Sequence, residues 1–194
     1  MLRTLRPWMT FVLVLAFAAP AGATTVLKLP LQEMTRKADL VVRAEVRDVQ
    51  TRLEDGGFRP VATVATFQVL QVLKGQATSP VLRMELAGGR TDKAVFHVPG
   101  MPSFRVGEEV VLFLEKTPRG FIPAGLSQGK YTVSRDASGR MRAVREAHDV
   151  ARVARDAQSG RMVHVHAADA EDDLDLEDLE KAIRSGLQGK GGAR

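Results

Sequence analysis

The chain has 194 residues, 44% of them hydrophobic, with 28 Lys and Arg against 23 Asp and Glu and no Cys. This balance is typical of one globular domain and excludes a disordered or fibrous chain. The lack of Cys excludes a disulfide framework, a thiol nucleophile and a thiolate metal site, so stability must come from burial of an ordinary core.

The start of the chain has the three regions of a secretory signal peptide. Arg3 and Arg6 precede the apolar run 8–19, and the small residues Ala21-Gly22-Ala23 follow. We therefore expect export to the periplasm or the extracellular medium and a mature chain that begins at Thr24. Loss of the two arginines lowers the formal net charge from +5 to +3, which argues against nucleic-acid binding. No later apolar stretch approaches the ~20 residues that span a bilayer, so the mature chain is predicted to have no membrane span.

A short helix is predicted over 30–38, because Pro30 is followed by apolar residues at helical spacing. A strand is predicted over 40–49, where Val42 and Val46 belong to an apolar set that alternates with charged residues. The helix therefore leads directly into a strand with one buried face.

The run 61–73 is rich in Val, Thr and Phe, and its alternation slips at Leu70-Gln71, which predicts a β-bulge. Of the strands that follow, only 110–114 is apolar throughout, so we expect it to lie centrally with both faces covered. Gly- and Pro-containing turns separate the further predicted strands at 81–86, 94–98, 109–114, 121–124, 130–134 and 141–144.

Short strands without intervening helices predict a mainly β fold, an antiparallel OB-like β-barrel over about 38–144 with two helices outside it. The predicted organisation is a signal peptide at 1–23, a barrel domain with flanking helices at 24–156, a polar linker at 157–172, an acidic amphipathic helix at 173–187 and a frayed tail at 188–194. The predicted core contains Val42, Val46, Phe67, Val69, Leu82, Met84, Val111, Phe113 and Val133.

The C-terminal part combines a weak helical pattern at 145–157 with a strongly amphipathic helix that has Asp173 as its predicted N-cap. An apolar stripe along that helix needs a surface to cover it. We expect the stripe to dock on the basic barrel, and the alternative is a partner-binding helix tethered by the linker. The stripe consists of Leu176, Leu179, Ile183 and Leu187.

The segment 125–129 matches G-x-S-x-G, the nucleophile elbow of serine hydrolases, with Ser127 as the nucleophile and His148-Asp149 downstream. The elbow requires a turn from strand to helix. Here Lys130 begins a predicted strand, so the hydrolase is only the alternative interpretation.

A second candidate site is the acidic and histidine-rich stretch around His164 and His166, whose nitrogen and oxygen atoms are possible ligands for Zn²⁺, Ni²⁺ or Cu²⁺. Its carboxylates are Asp169, Glu171, Asp172 and Asp173. Because it falls in the predicted linker without supporting residues, we predict adventitious binding at most and no metal or cofactor. His97, beside a Pro-Gly turn, is interpreted as a loop or strand residue.

The stretch 38–46, preceded by a short helix and followed by a long bulged strand ending at Lys74-Gly75, resembles the opening of netrin-like modules, above all tissue inhibitors of metalloproteinases. The resemblance covers residues 38–75 and implies an OB-fold and a binding function. Those inhibitors chelate the protease zinc through an N-terminal cysteine, which Thr24 does not provide. The phrases 104–110 and 128–131 also resemble those of uncharacterised exported bacterial proteins.

We therefore expect an exported, non-enzymatic binding module for an envelope or secreted protein such as a protease, with Thr24 and the stripe residues Leu176, Leu179 and Ile183 as its candidate binding residues. The alternatives are a serine hydrolase that uses Ser127 and a structural component of the cell envelope.

Overall fold

The computed structural model describes residues 25–54, 61–146, 151–155, 162–165 and 171–188. The strands are β1 Thr25–Leu27, β2 Leu40–Leu53, β3 Val61–Lys74, β4 Val81–Ala87, β5 Gly89–Arg90, β6 Val95–Phe96, β7 Glu109–Thr117, β8 Gly120–Pro123, β9 Lys130–Arg135, β10 Met141–Arg145, β11 Ala151–Arg155, β12 Met162–Val165 and β13 Asp173–Asp175. The helices are α1 Leu31–Lys37 and α2 Leu176–Gln188, and a 3₁₀ turn spans Leu126–Gly129. No helix in these ranges is long and apolar enough to cross a membrane.

Eight strands form one antiparallel sheet in the order β13-β10-β9-β7-β2-β3-β4, with β8 paired to the second half of β7. The mainly β, antiparallel fold is thus confirmed. Cα atoms of β4 and β8 approach within 8 Å, so the sheet curls. Within the described ranges, however, no ladder of hydrogen bonds joins these two strands, and the predicted closed barrel is not found.

Both faces of β7 are buried, as the apolar run 110–114 predicts. One face carries Val110, Leu112 and Leu114 into the inside of the curl, where Phe67 and Met84 also lie. We call this apolar cluster the inner core.

The opposite face of β7 carries Val111 and Phe113, which are covered by α1 and α2. Met34 of α1 and Leu179 of α2 are fully buried there, so each helix buries one apolar stripe against the sheet. We call this cluster the outer core.

Most of the predicted core residues are buried. Val69 and Leu82 are only partly buried and pack at the margin of the inner core. The confirmed members are Val42, Val46, Phe67, Met84, Val111, Phe113 and Val133.

The predicted bulge lies in β3 and is confirmed. Arg43 pairs with Gln71 and Ala44 pairs with Val69, so Leu70 is an extra residue on its strand. Side chains change face across such an insertion, which leaves Leu70 about half exposed.

The C-terminal part departs from the sequence predictions at three points. The predicted helix over 145–157 is wrong, since Ala151–Arg155 is a strand that pairs with β1 and β12. The polar linker contains β12, which the weak apolar signal of Met162–Val165 did not reveal. Asp173 is not an N-cap, because it pairs with Val144 in the ladder of β10 and β13, and the helix begins at Leu176.

Candidate functional site

Gln128 fixes the segment that follows β1. This residue lies in the 3₁₀ turn before β9, and its side chain is 1% exposed. Its amide oxygen accepts a hydrogen bond from the backbone N–H of Leu29 at 2.9 Å, and its amide nitrogen donates to the carbonyl of Leu27 at 3.0 Å. One buried amide therefore satisfies a backbone donor and a backbone acceptor of this segment.

Arg145 holds the same segment from the end of β10. Its completely buried guanidinium donates to the carbonyl of Leu29 at 3.0 Å and to the hydroxyl of Tyr131 at 2.8 Å. It lies 3.5 Å from the carboxylate of Asp172, which provides an opposite charge. A buried guanidinium with these partners is anchored by charge and by hydrogen bonds.

Tyr131 links the guanidinium to the chain at 171. Its hydroxyl donates to the carbonyl of Glu171 at 3.0 Å, and its ring lies 5.1 Å from the guanidinium carbon of Arg145. Burial raises the pKa of the Tyr131 hydroxyl to about 12, although the neighbouring Arg145 charge opposes the rise. The hydroxyl is therefore neutral and available as a donor at physiological pH.

A third contact to the N-terminal segment comes from Glu171, whose carboxylate accepts from the backbone N–H of Leu31 at 3.0 Å. We call Gln128, Tyr131, Arg145 and Glu171 the N-terminal latch. The latch fixes the chain at 27–31 from positions more than 95 residues away, without a disulfide.

A second buried cation, Lys130, lies beside the latch and is 2% exposed. Its ammonium lies 3.0 Å from the carboxylate of Glu108 and 2.7 Å from that of Glu146, and 4.8 Å from the centre of the Phe104 ring. It also donates to the carbonyl of Ser103. These contacts bring together the segments 104–110 and 128–131. Both segments therefore have a structural role, because they connect the loop before β7 to β9.

Ser127 lies in the 3₁₀ turn and is 5% exposed. Its backbone N–H donates to the carbonyl of Gly100 at 2.8 Å, and the chain continues from the turn into β9. The strand-to-helix turn of a nucleophile elbow is therefore absent at this described position. His148 and Asp149 lie outside the described residues.

The candidate metal ligands are not brought together in the part of the chain that is described. The carboxylate of Glu171 accepts a hydrogen bond from the backbone N–H of Leu31, and the carboxylate of Asp173 accepts one from Arg142 at 2.6 Å. His164 pairs with Val153 through the backbone of β12, whereas His166 and Asp169 lie outside the described ranges. Within those ranges, no group of three His, Cys, Asp or Glu residues could hold a metal ion. His97 is an exposed residue that follows β6.

The apolar stripe of α2 docks on the sheet, as expected. Leu179 and Ile183 are fully buried and Leu176 is 4% exposed, all within the outer core. The side chain of Leu187 is partly buried. As candidate binding residues, the first three are occupied by contacts within the chain.

Charged contacts orient this docking. Arg142 of β10 lies 2.6 Å from the carboxylate of Asp173 and 2.8 Å from that of Asp175, and Arg43 lies 3.9 Å from that of Glu180. Basic residues of the sheet thus face the acidic start of the C-terminal segment. This is the orientation expected from a basic sheet domain and an acidic helix. A polar cleft of about 660 Å³ lies between these elements.

No family model, curated protein or solved structure matches the chain. The similarity to netrin-like modules therefore remains a prediction from residues 38–75. Thr24, the predicted first residue of the mature chain, lies just outside the described residues and directly before β1.

Proposed function

We propose that the protein is an exported, non-enzymatic binding module that engages a secreted or envelope protein such as a protease. The N-terminal latch is the observation that carries this proposal. It fixes three backbone groups between Leu27 and Leu29 through the buried side chains of Gln128 and Arg145, and a fourth at Leu31 through the partly exposed carboxylate of Glu171. A segment that is ordered before association loses less conformational entropy when a partner binds.

The predicted cleavage after Ala23 would place a reactive group at this fixed edge. Cleavage there would create a free α-amino group at Thr24, immediately before β1. The resemblance to metalloproteinase inhibitors suggests that the N-terminal amino group and carbonyl approach a partner's metal ion. In this chain the latch would replace the disulfides that stiffen such an edge.

The curl of the sheet supports an OB-like arrangement as the scaffold for this edge. Strands β8, β7, β2, β3 and β4 follow one another around the inner core, and β4 returns to the vicinity of β8. The bulges of β2 and β3 supply the bend that a curled sheet requires.

The mature protein and a purified secreted zinc protease provide a direct test. Mass spectrometry of the exported chain should give a first residue of Thr24. We expect a 1:1 inhibitory complex with this chain, and loss of inhibition when one Ala precedes Thr24. A chain with one Ala added after Arg194 is the matched control. Equal inhibition by both extended chains, or none by the chain that begins at Thr24, would contradict binding through this edge.

Two further measurements separate the alternatives. A fluorophosphonate probe should leave the protein unlabelled, and stoichiometric labelling that Ser127→Ala abolishes would establish the hydrolase instead. Tight sedimentation with purified cell walls, together with no protease complex, would favour a structural component of the envelope.

A further inference from the structure

A second cleft, of about 320 Å³, lies at the other end of the curled sheet, where β2 and β3 extend beyond β7. Side chains of β2, β3 and β4 form one side, and β5, β6 and residues 97–103 form the other. We call it the hairpin cleft. Its volume is at the lower end of the range for small-molecule sites.

The back of the hairpin cleft is formed by close contact of β5 with the sheet. A Cβ atom on Gly89 would lie 2.4 Å from the hydroxyl oxygen of Thr63 and 2.6 Å from the methyl carbon of Thr51. Thr63 also donates to the carbonyl of Gly88 at 2.7 Å. The lack of a side chain at Gly89 therefore lets β5 lie directly on these threonines, and the hydrogen bond of Thr63 holds the start of β5 against the sheet.

Apolar side chains form most of the lining. Val95 is 58% exposed and Met101 is partly buried at the edge of the inner core. This wall would be covered if the cleft were filled by a hydrocarbon chain. It consists of Val49, Leu86, Val95, Phe96, Val98 and Met101.

The charged and titratable residues of the lining are Arg90 and His97, both exposed. The described lining contains no Asp or Glu, and no carboxylate in the described ranges lies within ion-pair distance of Arg90. A guanidinium and an imidazole beside an apolar wall are complementary to an anion that carries a hydrocarbon chain.

We propose that the hairpin cleft binds an aliphatic monocarboxylate, with the carboxylate at Arg90 and His97 and the chain against the apolar wall. A peptide is less well matched, because extended peptides bind through the backbone of a free strand edge. Here the apolar wall is made of side chains that come from both sides of the cleft. This site is separate from the N-terminal edge, so it is tested independently of protease binding.

Titration calorimetry with hexanoate, octanoate and decanoate tests the proposal. We expect saturable 1:1 binding that strengthens by up to about fourfold for each added methylene. Decyltrimethylammonium, which has the same chain and the opposite charge, should bind more weakly than decanoate. Absence of saturable binding of decanoate at millimolar concentration, or equal binding of the cation, would overturn the proposal.

The variant Arg90→Gln localises the site. We expect a loss of about two- to fivefold in decanoate affinity, because an exposed ion pair makes a modest contribution. Arg83→Gln removes an exposed arginine of β4 that does not line the cleft and should leave the affinity unchanged. Decanoate should also shift the methyl NMR signals of Met101 and Val95. Equal affinities of the two variants, or shifts confined to other methyl groups, would contradict this location.

Discussion

On the inner face of β7, Val110, Leu112 and Leu114 pack among apolar side chains of β2, β3 and β4, which are near neighbours in the sheet. On the outer face, Val111 and Phe113 lie beneath two helices. Tyr131, which contacts Phe113 with ring centres 5.9 Å apart, also belongs to the N-terminal latch.

The difference shows two ways to cover one strand. The inner core is closed by strands in which apolar and polar residues alternate along the chain. Burial of their apolar area is therefore sufficient to hold this core together. The outer core is closed by segments from both ends of the described chain, and their backbone groups need partners at the point where they cross. Buried polar side chains supply these partners, which makes the outer core dependent on hydrogen bonds as well as on apolar contact.

Removal of the C-terminal segment should have the largest effect. A chain that ends at Ala168 lacks Leu176, Leu179 and Ile183, whose burial together contributes about 5 to 9 kcal/mol. Total stabilities of domains are about 5 to 15 kcal/mol, so we expect a large fall in melting temperature or complete unfolding. Circular dichroism on heating measures it. An unchanged melt would show that the outer core does not need α2.

Replacement of one large ring in each core compares the two faces directly. Phe113→Ala in the outer core and Phe67→Ala in the inner core should each reduce the free energy of unfolding by about 3 to 5 kcal/mol. Urea denaturation of both variants gives the values. If Phe113→Ala matched the parent protein, Phe113 could not be a buried outer-core residue.

Arg145→Leu should be about as costly, by about 3 to 5 kcal/mol, since removal of one member of a buried ion pair leaves the other without its partner. The carboxylate of Asp172 and the carbonyl of Leu29 would then lose this donor. Arg119→Leu, at an exposed turn between β7 and β8, is the control and should change stability little. Similar urea midpoints for both variants would refute a stabilising role of Arg145.

Gln128→Leu keeps the size of the side chain and removes its two hydrogen bonds to the N-terminal segment. We expect a loss of about 1 to 3 kcal/mol, the cost of leaving buried backbone groups unsatisfied. Hydrogen exchange should increase at the amide of Leu29 more than at that of Phe67. Uniform exchange across both amides would contradict a local effect on the latch.

The titration of Tyr131 is the mildest test. It is the only tyrosine of the chain, so ultraviolet absorbance near 295 nm reports its ionisation alone. The folded pKa of about 12 exceeds the usual 10, so the folded state retains the proton more strongly. This contribution to stability is complete below pH 10 and is lost as the pH rises from 10 to 12. A pKa near 10 in the folded protein would show that the hydroxyl is solvated.

Local pattern was sufficient for the parts of the fold that depend on apolar periodicity. Alternation predicted β2, the slip at Leu70 predicted the bulge, and the apolar run 110–114 predicted a strand covered on both faces. The stripe of α2 predicted docking. Each of these signals lies within one segment, and each describes which side of that segment avoids water.

The latch and the C-terminal strands could not be predicted in the same way. Gln128 and Arg145 are polar residues in turn-like or strand-like surroundings, and both are bonded to Leu29, which lies 99 and 116 positions earlier. Asp173 is a residue type that often caps a helix, but its pairing with Val144 places it in a strand. In both cases a partner distant in sequence outweighs local propensity.

The long separations within the latch also affect the order of folding. Leu29 meets its side-chain partners 99 and 116 positions later, and Leu31 meets its partner 140 positions later. The first segment of the described chain thus cannot complete its contacts until the last part of the sheet and the chain at 171 are present. Contacts of this range slow folding. We therefore predict that the edge that begins the described chain is among the last parts to become native.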